Sequence, residues 1–138
     1  MKLWKKIVLS GLAGLAGLAA AGAQAGTPEK TPSGLIYESL REGTGAKASP
    51  EAGVQVNYRG TLANGSEFDS SYKRGQPATF PLNRVIPCWT EGVSKMREGG
   101  KAKLTCPPGI AYGSRGAGSA VPPDATLSFE VELLKVMR

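Results

Sequence analysis

From Ala125 to Val136 the sequence reads ATLSFEVELLKV, with Leu127, Phe129, Val131 and Leu133 in one phase and Ser128, Glu130 and Glu132 in the other. Side chains on an extended chain alternate between two faces, so this period of two describes a strand that covers a core with one face and meets water with the other. VQVNYRGTL, Val54 to Leu62, repeats the pattern with Val54, Val56 and Tyr58 set against Gln55, Asn57 and Arg59. KAKLTC, Lys101 to Cys106, alternates again, and LIYESL after Gly34 is a further candidate strand. Ala63-Asn64-Gly65-Ser66 supplies hairpin chemistry, because Asn and Gly accept the positive φ of tight turns. PATFPL, Pro77 to Leu82, is extended but interrupted by Pro81, which places it at an edge or a bulge. Only one segment carries a helical period: Ile86, Trp89, Val93 and Met96 fall at i, i+3, i+7 and i+10, opened by Pro87 and stopped by Gly99-Gly100. The expectation is an α+β domain, a curled antiparallel β-sheet of about five strands wrapped around one short α-helix.

The 138 residues make room for one ordinary domain. Residues 1–25 stand apart from it. Lys2, Lys5 and Lys6 precede an apolar run from Ile7 to Ala21, and Ala23-Gln24-Ala25 offers small residues around a cleavable bond. That order reads as a secretory signal peptide cut after Ala25, with an uncleaved anchor as the alternative. The run is shorter than the roughly 20 residues a membrane span needs. No cysteine precedes Cys88, so the segment has no thiol for acylation. Residues 26–33, GTPEKTPS, read as a short flexible lead, and 34–138 as the domain. Without the three lysines of the leader the formal charge falls from +6 to +3, and no run of basic and aromatic residues remains to suggest nucleic acid. The expected location is periplasmic or secreted, with no membrane span after cleavage. In an oxidising compartment Cys88 and Cys106 suggest a disulfide, and two buried free thiols are the alternative.

Several chemistries are excluded by what the chain lacks. It contains no histidine, so neither a Ser-His-Asp triad nor a Cys-His pair can be assembled, and a metal site is not expected. No GxxxxGK[ST] loop is present. GSRGAGS, Gly113 to Ser119, has neither a strand-like run before it nor a helical one after it, so its glycines serve loop flexibility. It belongs to an aperiodic stretch from Pro107 to Asp124, anchored by Ile110, Tyr112 and Val121, that reads as an ordered lid. What remains is a set of aromatic and apolar residues beside turns: Tyr58, Phe68, Trp89, Tyr112, Val121 and Phe129, with Asp69 as the one acid among aromatics. Singly, each is an ordinary core residue. Together they make an apolar cleft with one carboxylate, one phenol and backbone donors, a binding-site pattern that needs no nucleophile.

The segments VNYRGTLANGSEFDSS, VIPCWTEGVSKM, GGKAKL, PPGIAYG and VPPDATLSFEVELL, in this order and spacing, resemble the FKBP-type peptidyl-prolyl cis/trans isomerases. The likeness runs from about Gly34 to Arg138. It implies a proline pocket between helix and sheet, with no cofactor. Asp69, Ile86, Trp89 and Tyr112 would act on the bond: Trp89 as floor, the Ile86 amide and the Tyr112 hydroxyl as donors to ligand carbonyls, and Asp69 bordering the pocket, held by a neighbour such as Tyr58. Tyr58, Phe68, Val85, Val121 and Phe129 would complete the substrate-binding surface. Ala78 stands where the family carries a second aromatic wall, so that side is expected to be more open. Partners implied are proline-containing unfolded or partly folded polypeptides and macrolide immunosuppressants. Some exported members carry a long helical N-terminal arm for dimerising and holding clients; residues 26–33 offer none, so a monomer is expected. A client-holding module and an inactive disulfide-stapled interaction domain are the rival functions.

Overall fold

The structure is a computed structural model that describes residues 26–137. The residues read as a signal peptide therefore lie outside the described residues. Seven strands form a single sheet: β1 (Glu29–Lys30), β2 (Ile36–Arg41), β3 (Gly53–Leu62), β4 (Glu67–Ser70), β5 (Ala78–Pro81), β6 (Lys101–Cys106) and β7 (Leu127–Met137). Their spatial order is β1-β2-β6-β7-β3-β4, with β5 also paired to β3, and every pairing is antiparallel. Two short helices accompany them, α1 (Ser71–Arg74) and α2 (Pro87–Val93).

The alternation in β7 does what its period demands. Leu127, Val131 and Leu133 are buried completely and Phe129 almost so, while Glu130 faces water. β3 and β7 form the longest pairing of the sheet, from Gly53 opposite Met137 to Leu62 opposite Leu127. A register irregularity at Gln55/Val56 interrupts that pairing, and such bulges bend and twist a strand. α2 lies against the concave face. Gly92 makes the close approach possible, since a Cβ there would stand 2.7 Å from a Leu104 methyl of β6. Cys88 on α2 and Cys106 at the end of β6 are fully buried and joined in a disulfide, which ties helix to sheet.

Three features depart from the expectations. The lead is not devoid of structure, because Glu29–Lys30 pairs with Ile36–Tyr37 of β2 and Thr31 is buried. The helix of Ile86 to Met96 is shorter than its period suggests. It ends at Val93, where the Ser94 hydroxyl donates to the Glu91 carbonyl, and the Lys95 and Met96 amides close tight turns onto Gly92 and Val93. Met96 is still buried, so its apolar spacing records burial and not helix. Finally, α1 has no apolar period at all. Its signals are caps: the Ser70 hydroxyl accepts from the Lys73 amide, and Gly75, at φ 76°, donates to the Tyr72 carbonyl. Among the described residues no helix is long and apolar enough to cross a membrane.

Candidate functional site

Between α2 and the concave face of the sheet lies a cavity of about 460 Å³ lined by Tyr58, Phe68, Asp69, Phe80, Arg84, Val85, Ile86, Trp89, Tyr112 and Phe129. Its base is built from rings. The Trp89 indole is 4% exposed and meets Tyr58, Phe80 and Phe129 edge-on, with centroids 5.2, 5.4 and 5.5 Å away. Phe68 meets Phe129 in the same manner at 5.6 Å. Edge-to-face packing directs the positive rim of one ring at the negative face of another, which fixes the orientation of each ring as well as its burial.

Gly60 is what lets the last two rings meet. It sits on β3 opposite Asp69 of β4 and Phe129 of β7, and a Cβ there would lie 2.7 Å from Phe68 Cζ and 2.9 Å from Phe129 Cε1. Any side chain at this position would drive both walls out of place.

Asp69 stands at the cavity edge because the turn before it and the cap after it fix β4. The Ser66 amide donates to Asn64 Oδ1 at 2.9 Å, the Leu62 amide closes the turn onto the Ser66 carbonyl, and Gly65 takes φ 89°. On the far side, the buried Ser71 hydroxyl accepts from the Tyr58 amide at 2.8 Å and donates to Asn57 Oδ1 at 2.9 Å. So held, Asp69 Oδ2 accepts from the Tyr58 hydroxyl at 2.6 Å, and Oδ1 accepts from Arg74 at 2.6 Å and from the Ser70 amide at 2.9 Å. Arg74 also donates to the Tyr58 oxygen at 2.9 Å and lies over the Tyr58 ring. Burial pushes the Asp69 carboxyl up, but the hydrogen bonds from Tyr58 and Arg74, the charge of Arg74 and the Ser70 amide outweigh it and hold the group below its ordinary value. The Tyr58 hydroxyl is raised, first by burial and then by its bond to Asp69. This trio is therefore a carboxylate, a neutral phenol and a guanidinium at neutral pH.

Two donors on the rim are free. The Ile86 amide, just ahead of α2, and the Tyr112 hydroxyl have no partner among the described residues. The Tyr112 phenol is raised by burial and by the Asp69 charge, which keeps its proton in place. The loop that carries Tyr112 is held by its own backbone: Ala111 and Gly113 donate to the Pro108 carbonyl, Gly116 to Tyr112, and Asp124 to Gly113.

Eight of the nine residues expected at the pocket line this cavity. Val121 does not. It is 2% exposed and packs in the core, its backbone paired with Ala117 in both directions. Phe80, not among the expected residues, also lines the cavity, and its ring meets both Tyr58 and Trp89. Positions 78 and 80 share one face of β5, so strand alternation contained that signal. Arg74 and Arg84 were also outside the expected set. The caps of α1 would have pointed to the first, and no pattern marks the second.

A family model described as FKBP-type peptidyl-prolyl cis-trans isomerase matches residues 45–134. The FKBP-type peptidyl-prolyl cis-trans isomerase FkpA of Aeromonas hydrophila is 52% identical over 117 residues, a match covering 85% of this chain and 43% of the relative. The FK506-binding protein of Neisseria meningitidis serogroup B is 53% identical over 105 residues, covering 75% of this chain and 96% of the relative. Among solved structures, FkpA from Escherichia coli superposes with a TM-score of 0.77 at 46% identity, over 80% of this chain and 51% of that one. The match thus spans about two fifths of the length of the FkpA sequences, 43% and 38% in the two species.

Proposed function

This chain belongs to the FKBP-type peptidyl-prolyl cis-trans isomerase family, and we propose accordingly that it accelerates rotation about X-Pro bonds in exported polypeptides by binding the twisted amide without covalent chemistry. The observation that carries the reading is the aromatic cavity floored by Trp89 with the unpartnered Ile86 amide and Tyr112 hydroxyl at its rim. The prolyl ring rests on the indole, and the two donors take carbonyl oxygens of the flanking peptide.

Resonance keeps an amide planar with a barrier of about 18–20 kcal/mol, and uncatalysed X-Pro rotation takes tens to hundreds of seconds. The planar form is the more charge-separated, so water favours it over the twisted form. A cavity walled by Tyr58, Phe68, Phe80 and Phe129 withdraws that preference. Interactions stronger in the twisted state than in the planar one lower the barrier, each 1.4 kcal/mol or so giving tenfold in rate. Asp69 takes part through electrostatics and shape: its oxygens are occupied by Tyr58, Arg74 and Ser70, and its depressed pKa makes it a poor base.

The leader-like residues 1–25 support export to the periplasm or beyond, where unfolded proline-containing chains are the substrates. The test is relaxation of a cis-enriched X-Pro peptide with the full chain in light and heavy water. Acceleration of equal size in both solvents is expected. A large solvent isotope effect would require proton transfer and would contradict the mechanism; no acceleration would contradict the activity.

A further inference from the structure

We propose that Arg84 gives the cavity a preference for substrates carrying a carboxylate next to the proline; the proposal rests on the isomerase reading above. Arg84 closes a short 3-10 turn, Leu82–Arg84, and directly precedes Val85 and Ile86, so it stands two residues from the amide that takes a substrate carbonyl. It lines the cavity and is exposed. The ion pairs among the described residues use Arg41, Arg59, Lys73 and Arg74, and none involves Arg84. The only acid in the cavity lining, Asp69, is already matched by Arg74 at 2.6 Å. Arg84 is thus a positive charge without an ion-pair partner in a cavity lined mainly by aromatic and aliphatic side chains.

A guanidinium offers a planar pair of donors that fits a carboxylate at two points, a geometry an ammonium lacks. Low-dielectric walls beside it focus its field into the cleft. Because Arg84 remains in contact with solvent, pairing it requires no deep burial of charge, and a substrate glutamate can approach without heavy desolvation. A substrate lysine at the same place meets repulsion.

The experiment measures kcat/KM of the full chain for X-Pro peptides bearing Glu, Gln or Lys immediately before or immediately after the proline. Glu should exceed Lys by about fivefold at low salt at one of these positions at least, with Gln between them and the gap narrowing as salt rises. Arg84→Glu should invert the order and Arg84→Gln should remove it. Arg115→Gln, which neutralises an exposed lid arginine that does not line the cavity, should keep it. Each comparison is a ratio within one variant, so a general change in turnover cancels. Equal turnover of the three peptides by the wild type overturns the assignment and leaves the isomerase reading standing. So does an order that survives Arg84→Glu or vanishes in Arg115→Gln. If the wild type fails to turn over even the Gln peptides, the isomerase reading falls and the preference falls with it.

Discussion

Asp69 accepts hydrogen bonds from a phenol, a guanidinium and a backbone amide, and an acid so engaged has little capacity left to take a proton. Its pKa is lowered from an ordinary value of 3.8, so the interactions that stabilise the ionised form are fully present above the usual carboxylate range and are lost as pH falls through the depressed folded value. Turnover by the wild type should therefore be flat from about pH 5 to pH 9 and fall only in acid, because the neighbouring tyrosines, raised above 10, keep their protons across that window. Asp69→Asn removes a charge but keeps the shape, and should lower kcat/KM by about two- to tenfold, the value of one or two hydrogen bonds. A wild-type profile that titrates near neutrality, together with an inactive Asp69→Asn, would assign Asp69 to proton transfer instead. At this scale the sequence was informative where a residue is both unusual and locally framed. Asp69 sits between Phe68 and two serines, and Trp89 lies on a helical period. Phe80 and Arg84 went unseen because each depends on which way a short irregular segment turns its face, and that is settled by pairing with β3 and by the turn after β5.

The elements differ in how far local pattern determines them. β3, β6 and β7 were legible because half-buried strands alternate, and the β3–β4 turn because Asn64-Gly65 suits positive φ at Gly65. α2 was overextended because Met96 returns to the core through a turn that mimics the helical spacing. β1 escaped notice since a strand of two residues has no period to detect. Gly60 shapes the cavity without lining it. Gly60→Ala should force Phe68 and Phe129 apart and cost about 1–3 kcal/mol of stability by overpacking, with a parallel rise in KM, as read from urea unfolding and peptide kinetics. Wild-type stability and KM in that variant would mean the rings yield freely and are not fixed by β3.

At the scale of the molecule, the sheet curls around α2 and the disulfide between Cys88 and Cys106 pins the helix to β6 one residue before Trp89. The bridge closes a loop with a sequence separation of 18, for which chain entropy gives about 3 kcal/mol. Replacing both cysteines by alanine should lower the unfolding free energy by about 2–5 kcal/mol, measured in denaturant, and raise KM as α2 loosens. Unchanged stability would show that helix packing alone suffices. Trp89 is the ring at which helix, sheet and substrate would meet. The decisive measurement compares cis–trans relaxation of an X-Pro peptide with the wild type and with Trp89→Ala, each shown to be folded by circular dichroism. Acceleration by the wild type that falls at least tenfold in the variant is the predicted result; undiminished acceleration by a folded Trp89→Ala protein would place the isomerase site elsewhere.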